Sequence, residues 1–81
     1  MAPKPLHPRI SIDPRVCHGK PTVTGTRVPV EALLAAIGGG DEISQVAADY
    51  GVSVDDVRAA VLYANTLVSQ ERHYPIRAKA S

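Results

Sequence analysis

The chain has no phenylalanine and no tryptophan, and holds a single cysteine and a single methionine among its 81 residues. Any core must therefore be assembled from Val, Ile, Leu, Ala and three tyrosines. A chain this short buries little surface, so without large aromatics, disulfides or metal it is marginal on its own, and a homodimer is expected. The lone Cys17 excludes an intramolecular disulfide. No apolar run nears the ~20 residues that a membrane span needs, so the expected location is cytoplasmic, with no membrane partner.

Acids are almost missing from the first thirty positions, where Lys4, Arg9, Arg15, Lys20 and Arg27 face only Asp13. The middle inverts this: Glu31, Asp41, Glu42, Asp49, Asp55, Asp56 and Glu71 face only Arg58. Arg72, Arg77 and Lys79 then make the end basic again. A basic front, an acidic middle and a basic tail point to separate partner surfaces, or to charges that solvate and pair within one small domain.

What is present in excess sits between Gly19 and Val30, GKPTVTGTRVPV, which crowds two glycines, two prolines, three threonines and two cations into a dozen residues. Gly25 permits the positive φ of a tight turn, and Pro21 and Pro29 hold the residue before each of them extended. The pattern predicts two extended segments, Pro21 to Thr24 and Thr26 to Val28, bent at Gly25 and leading into a helix.

In chain order, residues 1–8, with three prolines, read as a flexible arm. Arg9 to Asp13 reads as a strand with Ile10 and Ile12 on one side, pairing near Val23 within one chain or across two. Val30, Leu33, Leu34 and Ile37 recur at helical spacing, giving a first helix from Pro29 to Ile37 stopped by Gly38 to Gly40. Asp41 is expected to cap a second helix carrying Ile43, Val46, Ala47 and Tyr50 and ending at Gly51. Ser53 and Asp56 form an acidic capping box for a third helix, reaching about Glu71, with Val54, Val57, Ala60, Val61, Ala64 and Leu67 or Val68 along it. The organisation is thus a 1–8 arm, one 9–71 domain with an N-terminal β element, and a basic flexible 72–81 tail. The fold class is mainly α, a three-helix bundle.

Ala47, Gly51, Val52 and Val57 have the offsets of a helix-turn-helix, which occurs in DNA-binding and other three-helix domains. Asp55 and Asp56 stand where the third helix would meet a major groove, and only Arg58 there can reach a phosphate or a guanine edge. Arg9, Arg15, Lys20, Arg27 and Arg58 are the candidate DNA-contacting residues, since phosphate neutralisation dominates affinity. Arg27 has a second reading, in which it pairs with Glu31 and only holds the fold.

Catalytic readings fail on spacing. Gly19 to Thr26 is one residue too long for a phosphate loop and lacks its lysine. Cys17 and His18 would point to opposite faces of an extended chain, with no third group to orient them. His7, Cys17 and His18 lack the paired spacing of a zinc site. No enzyme activity, cofactor or metal is expected.

Asp13-Pro14, Gly19-Lys20-Pro21, Gly25-Thr26-Arg27 and Pro29-Val30, followed by a helix, a glycine and an acidic helix start, resemble the small bacterial domain-of-unknown-function family 433. The likeness spans about Ile10 to Ala64. It differs from many relatives in having Thr24 in place of a basic residue and Gly51 in place of a proline. The resemblance implies a VapB-type antitoxin with a homeodomain-like helix-turn-helix fold, encoded beside a PIN-like ribonuclease toxin, and able to bind its own operator DNA. On that reading, Arg72, Arg77 and Lys79 of the tail enter the acidic, Mg²⁺-holding pocket of the toxin. The alternatives are a frayed terminus for the tail, and a stand-alone transcriptional regulator for the protein.

Overall fold

The computed structural model describes residues 4–70. Ile10 and Ser11 alternate apolar and polar along a strand whose successive side chains leave opposite faces. They lie in β2 (Ile10–Ile12), at the centre of an antiparallel sheet between β1 (Lys4–His7) and β3 (Thr22–Val23). Ile10 pairs with Val23 and Ser11 with Thr22, so the expected pairing forms within one chain. Ile10 and Val23 turn inward and are buried.

The stretch expected to be an arm contains β1. Lys4 pairs with Ile12 and Pro5 with Ser11, with the register shifting between Pro5 and His7. Proline has no N–H to offer a ladder and is tolerated in an edge strand, which is where Pro5 lies. Among the described residues, the sheet thus includes Lys4–His7 of the stretch read as an arm.

Three helices follow: α1 (Val30–Gly38), α2 (Ile43–Tyr50) and α3 (Val54–Gln70). Pro29 stands just before α1, where its missing N–H leaves no helical bond unmade, and Glu31 lies in the first turn at the positive end of the dipole. Asp41 does not cap α2, because the residue before α2 is Glu42, one position further on, and Asp41 belongs to the closure of α1. Its N–H reaches back to the Ala36 carbonyl at 3.1 Å, while Gly40 (φ 107°) donates to Ile37 at 3.0 Å. This is the paired 6→1 and 5→2 closure of a Schellman motif. Glu42 becomes the residue before α2, without a side-chain capping bond. The same closure ends α2 at Gly51 (φ 69°), with Val52 N–H on Ala47 at 3.0 Å.

The expected box at Ser53 and Asp56 forms in both directions. Ser53 N–H donates to the Asp56 carboxylate and Asp56 N–H to the Ser53 hydroxyl, each at 3.0 Å. The core gathers Ile10 and Val23 from the sheet with Val30, Leu33, Val46, Ala47, Val57, Ala59 and Ala60 from the helices. Short side chains let the three helices and the sheet approach closely, and Leu34, Ile43, Val52, Val54 and Tyr63 fill its edges. No helix among the described residues is long and apolar enough to cross a membrane.

Candidate functional site

The Gly19–Val30 segment folds into a closed loop. Gly25 takes φ 81° and Thr26 N–H bonds the Val23 carbonyl at 3.0 Å, which is the turn that a positive-φ third position allows. The Thr26 hydroxyl donates to the same carbonyl at 2.8 Å and accepts the Val28 N–H at 3.0 Å, so both its capacities are used. Val23 N–H to Val28 and Val30 N–H to Pro21, each at 2.9 Å, join the two legs. The second extended segment is reduced to a single bridge, Thr22 to Pro29, because Pro29 cannot donate to a longer ladder.

Cys17 and His18 do not lie on an extended chain. Cys17, His18 and Gly19 take φ 50°, 58° and 81°, a left-handed turn that is unfavourable for the first two. The Cys17 thiol points at the Arg27 carbonyl at 3.3 Å, and this contact ties the turn to the loop. His18 is exposed.

The candidate DNA-contacting cations divide into two sets. Arg9 lies against the start of α3, 3.0 Å from Asp56 and 3.8 Å from Asp55. Burial pushes the Asp56 carboxyl up, but the Ser53 amide, Arg9 and the Ser53 hydroxyl together outweigh it and leave the group below its ordinary value. Arg15 grips Asp13 through two side-chain bonds and its own N–H, all at 2.9 Å. Those bonds hold the Asp13 carboxyl down to about 2 and raise the Arg15 guanidinium above its usual value. Lys20 pairs with Glu31 at 3.1 Å, in the place Arg27 was expected to take. Among the described residues, Arg27 and Arg58 have no ion pair, and both are exposed. The three tail cations, Arg72, Arg77 and Lys79, lie outside the described residues.

Two polar residues that sequence reasoning passed over stand beside this loop. Ser11 and Thr22 face each other across β2 and β3 on the side of the sheet away from Ile10 and Val23, yet they are only 7% and 3% exposed. They line a cleft of about 440 Å³ with Asp13, Val16, Gly25, Thr26 and Arg27. Among the described residues, neither hydroxyl has a hydrogen-bond partner. A buried polar group left unpaired costs about 1–3 kcal/mol, so the pair is an uncommon feature in so small a domain. The alternation Ile10-Ser11-Ile12 signalled that Ser11 faces away from the core; nothing signalled that this face would be covered.

The last half of α3 carries a different surface. Leu62 and Val68 are 56% and 63% exposed, with Val61 and Leu67 also uncovered. Leu67 and Tyr63 border a groove of about 210 Å³ against Pro21, Val30 and Leu34. Val61 and Leu62 border another of about 220 Å³ with Ile43 and Arg58. The apolar stripe thus continues past the point where the core ends, wide enough to expose side chains on two flanks.

Residues 10–64 match the model of a family described as protein of unknown function, DUF433. The chain is similar to the uncharacterized protein Rv2308 of Mycobacterium tuberculosis, 38% identical over 56 residues, which cover 69% of this chain and 24% of that protein. It is also similar to the crystal structure of Rv2018 from the same organism, with a TM-score of 0.60 and 36% identity over 64% of this chain and 24% of that one. The chain therefore spans about a quarter of the length of these relatives.

Proposed function

Because this chain belongs to the DUF433 family, we propose that it is an antitoxin-like component of a bacterial type II toxin-antitoxin system, which neutralises a PIN-like ribonuclease toxin and binds operator DNA as an autorepressor. The observation that carries this reading is the uncovered apolar surface of α3, where Val61 and Val68, seven residues apart and so on one face of the helix, are both exposed. A helix presenting apolar side chains two turns apart on one face suits a hydrophobic groove on a partner protein. The basic tail follows α3 directly, so docking of the helix would deliver Arg72, Arg77 and Lys79 to a neighbouring carboxylate cluster. In this reading the domain is homeodomain-like and works as a homodimer, which compensates for a core without Phe or Trp.

The test is co-expression with the product of the adjacent gene. The two proteins should co-purify and the ribonuclease should be silent, whereas the Val61→Glu, Val68→Glu double variant should lose both effects while keeping its helical circular dichroism. Full inhibition by that variant would remove α3 from the mechanism.

A second reading, a stand-alone DNA-binding regulator, is favoured by the tight α2–Gly51–α3 connection with Arg58 exposed near its start. Operator binding at full affinity with no nuclease-fold gene nearby would select it.

A further inference from the structure

The cleft over the outer face of the sheet does not feature in the toxin reading and stands without it. We propose that it is an oxyanion site that takes one phosphoryl group, with the Ser11 and Thr22 hydroxyls as its floor and Arg27 as its source of charge. Buried hydroxyls in folded proteins are almost always paired, and these two sit directly opposite each other in register, each less than a tenth exposed and without a protein partner among the described residues. Both line the same cleft, so an oxygen placed there can reach two donors from neighbouring strands.

The charges of the cleft favour an anion. Asp13 is the one acid on its wall, and Arg15 occupies both of its carboxylate oxygens. That ion pair cancels, leaving Arg27 uncompensated and the cleft with one net positive charge. The third hydroxyl nearby, on Thr26, is committed to the loop backbone and cannot compete. At about 440 Å³, the cleft falls within the ~300–1,000 Å³ range of small-ligand sites, large enough for a phosphate and its attached carbon groups. The two hydroxyls and the guanidinium line the same cleft and together offer more donors than one guanidinium fork. A phosphoryl group held bidentately by Arg27 still has a further oxygen for the two hydroxyls, whereas a carboxylate in the same fork has both of its oxygens engaged. The phosphoryl group can come from a nucleic-acid backbone or from a free phosphate.

The experiment is an amide-resolved NMR titration of the full chain at constant pH and ionic strength, with dimethyl phosphate, inorganic phosphate and acetate as separate probes. The proposal expects saturable shifts centred on Ser11, Thr22, Gly25 and Arg27 with a phosphate probe. Arg27→Ala should weaken binding roughly tenfold, and Thr22→Val or Ser11→Ala by roughly three- to tenfold, as expected for charged and neutral hydrogen bonds. Tighter binding of dimethyl phosphate identifies a backbone phosphodiester as the source, and tighter binding of inorganic phosphate a free phosphate. The site is refuted if shifts spread over all exposed cations without saturating, or if acetate binds as well as either phosphate. Unchanged binding by Ser11→Ala and Thr22→Val together also refutes it. Ser11→Ala, which removes one oxygen, covers the case in which Thr22→Val disturbs the sheet.

Discussion

Replacing Asp56 by alanine should lower the stability of the domain more than any other single change to a charged residue in the acidic middle. The Asp56 side chain is 17% exposed, accepts the Ser53 N–H at 3.0 Å and holds Arg9 at 3.0 Å. Loss of the capping-box acceptor costs about 1 kcal/mol. Loss of a carboxylate from the first turn of α3 costs ~0.3–1 kcal/mol more, through the helix dipole. Arg9 is 47% exposed, so its ion pair adds no more than about 0.5 kcal/mol after solvent screening. The sum is about 2 kcal/mol, or a fall in Tm of ~8–15 °C for a domain of this size. Thermal melts followed by circular dichroism at pH 7 would measure it, with Arg9→Ala expected to lose only about a quarter as much. The carboxyl lies below its ordinary value in the folded state, so its contribution is complete above the unfolded pKa and disappears as pH falls through the folded one. The gap between wild type and Asp56→Asn should accordingly close in acid. A drop in Tm below ~3 °C for Asp56→Ala, or equal losses for Asp56→Ala and Arg9→Ala, would refute the assignment of this carboxylate to the helix start.

Gly51→Ala should cost about 1–2 kcal/mol in urea unfolding, all of it backbone strain at φ 69°, since an added methyl meets nothing within 4 Å; an unchanged midpoint would contradict this. Leu33→Ala, at a fully buried position, should cost ~2–5 kcal/mol in guanidinium unfolding. The Asp13 carboxyl should titrate at about 2 by carbon-detected NMR, and Arg15→Ala should return it towards the ordinary carboxylate value. Because that group is depressed in the folded protein, its stabilising effect should be lost as pH drops towards 2, not on the alkaline side. If operator DNA binds, its affinity should fall with salt at a slope of about −0.9 per phosphate contacted, and Arg27→Ala and Arg58→Ala should each reduce that slope by about one, as read by fluorescence anisotropy.

The helices were legible because their signals are local. Spacing of Val30, Leu33, Leu34 and Ile37 placed α1 within one residue at each end, and Ser53 with Asp56 marked the start of α3. Asp41 misled because glycine followed by aspartate serves equally well to close one helix or to open the next, and only the bond to Ala36 decides. β1 was hidden by Pro5, whose effect depends on whether the strand lies at an edge. The left-handed Cys17 and His18 carry no propensity that marks them, and they persist because the loop on either side is hydrogen-bonded. Charge was the least legible property. Arg9 and Asp56 stand 47 positions apart, and no pattern along the chain reveals that a cation proposed for DNA is already engaged by the acids at the start of the third helix.

The two bonds that close the loop between Pro21 and Val30 make it a stiff handle. Pulling on Arg27 loads Val28, which is fastened to Val23 in the sheet, and then Val30, which is fastened to Pro21 and is the first residue of α1. Strand and helix are thereby geared together at a single joint. Whatever grips Arg27 from outside takes hold of both layers at once, so the loop transmits a load to the whole body of the domain without needing to bend.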